Sequence, residues 1–179
     1  MVCEFNKSKN YAQIRKLIET FSSQFCTSKD ANKRKGGLIA IGESLDYQKP
    51  LKHANFFLLA ACCIALGPQD CVQFINELLP PVLNCLIDPD TRVRYFASES
   101  LYNIAKIGRQ SCVTMFPEIF SALSRLVSDP DVAVKNASEL LDRLLKDIIT
   151  ENSGIFDLPA FIPLLRERIS TKNSFARQF

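Results

Sequence analysis

The stretch Asp88-Pro-Asp-Thr-Arg-Val-Arg94 recurs as Asp129-Pro-Asp-Val-Ala-Val-Lys135, and 129 − 88 = 41. A fixed period of this length marks stacked helical hairpins, so the repeat decides the fold before any single element does. A third step of 41 from Val134 reaches Phe175, within Asn173-Ser-Phe-Ala-Arg177, and one step back from Gly108 reaches Gly67, each glycine where a helix is expected to end.

Working outward, Val93, Ala97, Leu101, Ile104 and Ile107 share one helical face, as do Val134, Leu141, Leu144, Leu145 and Ile148. The periodicity predicts paired helices at 72–87 and 90–107, then at 116–127 and 131–149, with another begun at 161–169. Tyr11, Ile14, Leu17, Ile18, Phe21 and Phe25 predict an amphipathic helix over 10–26. Asp88 and Asp129 are expected to cap the second helix of each pair, with Pro89 and Pro130 at its first position. The predicted fold is all-α: an α-solenoid of about four stacked helical hairpins. Its units span 10–67, 71–108, 112–150 and 158–179. One hairpin buries too little apolar surface to stand alone, so the array is stable only collectively.

Composition narrows function by exclusion. The 179 residues are 47% apolar and 23% charged, with 22 basic and 19 acidic residues, a balance too even for nucleic acid to be the main partner. The single histidine, His53, excludes paired-imidazole catalysis and any Cys2His2 zinc site. Seven cysteines, none spaced C-x-x-C and most set among Leu, Ile and Ala, read as reduced core residues of a cytosolic protein. The longest mainly apolar run, Phe56 to Leu66, is shorter than the roughly 18 residues of a membrane span.

Candidate chemistry yields to plainer readings. The carboxylate pairs Asp88/Asp90 and Asp129/Asp131 recur at the repeat period beside prolines, which fits capping better than acid–base catalysis. Cys62-Cys63 could carry a lipid or a redox role, but between Ala61 and Ile64 at least one belongs to the core. Lys33-Arg34-Lys35-Gly36-Gly37 lacks the order of a phosphate loop and reads as a basic helix start facing solvent or a partner, or as a weak contact to anionic lipid. Leu140-Leu141-Asp142-Arg143-Leu144-Leu145 reads as core, with Asp142 and Arg143 pointing outward.

Asp88, Val93, Arg94 and Ala97, with Pro80 upstream, resemble the HEAT repeat, and Asp129, Val134 and Lys135 match it with a conservative change. That resemblance implies a HEAT-repeat α-solenoid, an armadillo-like right-handed superhelix, with a structural ladder of hydrogen bonds between neighbouring units carried by Asp88 with Arg94 and by Asp129 with Lys135. It lapses at the last unit, where Ala176 replaces the basic residue. Longer strings are more specific: Arg34-Lys-Gly-Gly-Leu-Ile39 with Leu59-Ala-Ala-Cys-Cys-Ile-Ala-Leu-Gly67, Ser138 to Ile148, and Phe161 to Ile169 with Ala176-Arg-Gln-Phe179. From about Phe5 to Phe179 the chain resembles the N-terminal, kinase-binding part of the vacuole-morphology scaffolds of the PIKfyve lipid-kinase complex.

The resemblance implies a non-catalytic adaptor without cofactor or metal, in the cytoplasm and peripheral on endosome or vacuole membranes, with membrane association indirect. Its implied partners are a PIKfyve-type lipid kinase and the associated phosphoinositide phosphatase, with self-association open, and its implied role is support of phosphatidylinositol 3,5-bisphosphate synthesis. The generic repeat alone equally permits another HEAT module, such as a transport receptor or phosphatase scaffold. Asp142, Arg143, Lys146, Arg166 and Arg168 are the candidate partner-binding surface. Family members are longer, so the chain reads as a fragment or a truncated gene model. Residues 41–58 interrupt two strings that the family nearly joins, as a lineage-specific loop or a retained intron. Phe161, Leu164, Phe175 and Phe179 are expected to leave apolar surface exposed and to promote association.

Overall fold

The computed structural model describes residues 2–34 and 58–170 and, within them, the side chains of all but 58–61, 168 and 169. The insertion at 41–58, His53, Phe175, Ala176 and Phe179 lie outside the described residues, apart from the backbone of Leu58. In chain order the elements are α1 (Val2–Lys7), α2 (Tyr11–Phe21) with a π-helical turn (Ser22–Cys26), α3 (Leu58–Cys71), a 3-10 turn (Val72–Phe74), α4 (Ile75–Cys85) and α5 (Thr91–Gly108). A second 3-10 stretch (Arg109–Met115), α6 (Phe116–Leu126), α7 (Val132–Glu151) and α8 (Leu158–Ile169) follow. No strand occurs among the described residues.

Apolar spacing dictates what touches what. Val93, Ala97, Leu101 and Ile104 are fully buried along α5, which lies between α3 and α7. Leu141, Leu145 and Ile148 bury the inner face of α7 against α5 and α6. The preceding helices also meet in sequence, α2 with α4, α4 with α6, and α6 with α8. Ile14 and Ile18 tie α2 into the same core. The helix expected over 10–26 changes at Phe21 to the wider π turn, and the one expected from residue 72 opens as a 3-10 turn before Ile75.

Two glycines one period apart serve different ends. Gly67 has φ 74°, a left-handed conformation that breaks α3 at no steric cost. Gly108 is helical, but a Cβ there would lie 2.7 Å from Ile75 Cδ1 and 3.2 Å from Cys112 Sγ. Gly108→Ala is therefore expected to destabilise the protein by about 1–3 kcal/mol through overpacking, measurable as a lowered denaturation midpoint.

Three expectations need correction. Leu140, assigned to the core, is 57% exposed, and the adjacent Leu141 is the buried residue. Phe161, expected to be exposed, is buried, its ring 4.9 Å from Phe120 and 5.2 Å from Phe116 by centroid, with Phe156 completing the cluster. Seven reduced cysteines were expected, yet Cys63 and Cys71 form a disulfide with their Cα atoms 5.4 Å apart. The turn at Gly67-Pro68 carries the chain back toward Cys63, an approach no linear spacing motif reveals.

Candidate functional site

The repeated Asp-Pro-Asp segments build the seams between helix pairs. Asp90 and Asp131, not Asp88 and Asp129, are the helix caps. Asp90 Oδ1 accepts from the amides of Arg92 and Val93, and Asp131 Oδ1 from those of Ala133 and Val134. Pro89 and Pro130 accordingly precede the caps. The first aspartate folds the turn back on itself, Asp88 Oδ1 accepting from the Asp90 amide at 2.8 Å and Asp129 Oδ1 from the Asp131 amide at 3.0 Å.

This places the first aspartate's carboxylate against the preceding unit. Arg94 donates from Nε and Nη2 to the two carboxylate oxygens of Asp129, at 2.6 and 3.0 Å. Toward Asp88, Arg94 reaches only the backbone carbonyl, at 2.8 Å. The Asp88 carboxylate is held by Arg34, whose Nη2 donates to Oδ1 at 2.8 Å. The side-chain pairs are thus Arg34–Asp88 and Arg94–Asp129, each across a seam between helix pairs, where Asp88 with Arg94 and Asp129 with Lys135 are the pairs expected from the resemblance. Burial alone would raise the Asp129 carboxyl, but the Arg94 guanidinium and the Asp131 amide outweigh it and hold the carboxyl below its usual range. The same contact raises Arg94.

Arg34 also corrects the reading of the basic run as a solvent- or partner-facing helix start. Its Nη1 donates to the carbonyls of Ser28 and Lys29, as Arg94 does to those of Asp88 and Pro89. Ser28 Oγ accepts from the Asp30 amide, and Asp30 Oδ1 from that of Asn32. Ser28-Lys-Asp-Ala-Asn-Lys-Arg34 is therefore a further copy of the turn. In it Arg34 holds the place of Arg94. The linear pattern conceals it, because Ser28 stands in place of Asp and Lys29 in place of Pro.

The candidate surface residues are placed as follows. On α7, Lys146 Nζ donates to Asp142 Oδ2 at 2.6 Å; Asp142 is largely covered, while Arg143 is exposed. Arg166 is exposed on α8, and the side chain of Arg168 lies outside the described residues. The buried Cys62 thiol is pushed up to about 12 by burial, and Cys63 is disulfide-bonded, so neither is presented as a surface nucleophile. Among the described residues, no group of three or more His, Cys, Asp or Glu could hold a metal ion. None of the described helices is long and apolar enough to cross a membrane.

Among the described residues, two of the clefts lie beside α4 and α6. One, of about 750 Å3, lies beside Val72, Val113, Ile155 and Phe161. The other, of about 370 Å3, runs between α4 and α6 beside Leu83, Ile87, Met115 and Ala122, with Glu118 and Arg125 on its rim.

The chain is 41% identical over its whole length to the Protein VAC14 homolog of Arabidopsis thaliana, covering 21% of that protein. It is 37% identical to the Vacuole morphology and inheritance protein 14 of Saccharomyces cerevisiae, with 74% of the chain and 19% of that protein aligned. With the Protein VAC14 homolog of Schizosaccharomyces pombe it shares 36% identity over 80% of the chain and 16% of the relative. The chain thus spans about a fifth of the length of these relatives. No solved structure matches. The family described as the Vacuolar 14 Fab1-binding region matches residues 51–147, which carry α3 through most of α7, and the chain belongs to that family.

Proposed function

We propose that this chain is the kinase-docking part of a non-catalytic scaffold for a Fab1/PIKfyve-type lipid kinase, supporting phosphatidylinositol 3,5-bisphosphate synthesis at endosome and vacuole membranes. The single observation that carries the reading is the family match across residues 51–147, a region in which paired helices meet in sequence. We read the pairs as HEAT units of an α-solenoid, at 10–67, 71–108, 112–150 and 158–179, because helices of successive pairs contact each other in register and arginine–aspartate bridges recur across the seams. Such an array offers a long repeated surface, suited to holding partners in place. A phosphoinositide phosphatase as second partner, self-association, and peripheral attachment through the kinase belong to the same reading. Asp142, Arg143, Lys146, Arg166 and Arg168 are proposed as part of the partner-facing surface.

The test is affinity capture of the full-length protein from its own cells. A Fab1-type kinase is expected to co-purify in stoichiometric amount, and deletion of the gene is expected to lower phosphatidylinositol 3,5-bisphosphate. Capture of transport or protein-phosphatase subunits, with the lipid unchanged, would instead favour a generic HEAT module.

A further inference from the structure

Two successive seams, α2–α4 and α4–α6, are finished differently. At the α2–α4 seam, Arg15 Nε donates to Glu77 Oε1 at 2.8 Å, and its guanidinium lies 5.0 Å from the centre of the Phe74 ring. One cation from the preceding helix thereby bridges the seam. At the α4–α6 seam the counterpart of Glu77 is Glu118, since 118 − 77 = 41. Residues 72–87 contain no Lys or Arg, so α4 has no cation to offer. Among the described residues no cation pairs with Glu118, which stays exposed on the rim.

The missing bridge leaves a groove. Ile87 is 57% exposed, Leu83 and Met115 are partly exposed beside it, and Ala122 is buried beneath. Arg125 stands seven residues beyond Glu118 on the same helix, about 10.5 Å along its axis at 1.5 Å per residue. An apolar strip with an acid and a base two turns apart matches the face of one amphipathic helix laid along it.

Position in the chain separates the two clefts. Every residue beside the α4–α6 groove lies between Pro80 and Arg125, inside the matched region 51–147. The larger cleft takes Ile155, Phe156, Asp157, Ala160 and Phe161 from beyond it.

We infer that the α4–α6 groove receives an amphipathic helix of the Fab1-type kinase, its apolar stripe on Leu83, Ile87 and Met115, a Lys or Arg at Glu118, and an acidic residue at Arg125. The partner's cation thus takes the place that Arg15 holds one seam earlier. This rests on the scaffold reading above and names the surface it uses.

The experiment titrates full-length kinase with the full-length protein, wild type against Ile87→Asp, Glu118→Arg and Ile155→Asp. Each groove variant is expected to weaken binding at least about tenfold at unchanged melting temperature, while Ile155→Asp, in the larger cleft, binds as wild type. Should a groove variant melt low, Glu118→Gln decides, since it keeps the shape, removes the charge, and is expected to weaken binding severalfold and to make it less salt-sensitive. Wild-type protein that fails to bind the kinase would defeat the scaffold reading itself. Wild-type binding with groove variants unchanged would overturn the groove alone. So would loss of self-association in Ile87→Asp at unaltered kinase affinity, which would assign the groove to a second copy.

Discussion

Leu141→Arg is expected to unfold the α6–α7 pair, at a cost of about 4 kcal/mol or more. Leu141 is fully buried on the inner face of α7, so the guanidinium would enter an apolar core that, among the described residues, includes no carboxylate. Leu140→Arg, one residue earlier, is expected to change stability by less than about 0.5 kcal/mol, because the helical step of about 100° carries that side chain to the solvent face, where it is 57% exposed. Chemical denaturation of the pair measures both. Equal midpoints for the two variants would mean that the helical phase of α7 is wrong.

Arg94→Ala is expected to cost about 3 kcal/mol, since it leaves the carboxylate of Asp129, only 6% exposed, without its cation. The Asp131 amide still donates to that carboxylate and keeps the loss from being larger. The effect depends on pH with a definite sign. Asp129 titrates below its unfolded value in the folded protein, so its contribution is present above about pH 4 and declines as pH falls through the lower folded value. The stability gap between wild type and Arg94→Ala should therefore be constant from about pH 5 to 7 and narrow below pH 4. A gap that widened on acidification would contradict the assignment of Arg94 to Asp129. Lys at position 94 is expected to restore only part of the loss, because a single ammonium cannot reproduce the two parallel bonds to the carboxylate.

Much of the helical architecture was legible because burial repeats along a helix at a spacing the residues display. Val93, Ala97, Leu101 and Ile104 announced the buried face of α5, and the turn at Asp129 repeated that at Asp88. The shape of the surface between helices was less legible. The α4–α6 groove depends on a contrast in space, since Glu77 meets a cation that stands 62 residues away in the chain and Glu118 does not.

Local pattern by itself determined the helical class and the buried faces of α5 and, Leu140 apart, of α7, because these follow from backbone geometry within a few turns, and the recurring turn displayed the 41-residue period directly. Tertiary structure alone decided that Arg94 closes on Asp129 rather than on its own unit's Asp88, that Arg34 fills the same role for Asp88, and that Cys63 meets Cys71. Each depends on the rotation between successive hairpins or on the turn at Gly67. Those angles are set by packing summed over many side chains, and no short stretch of residues encodes them.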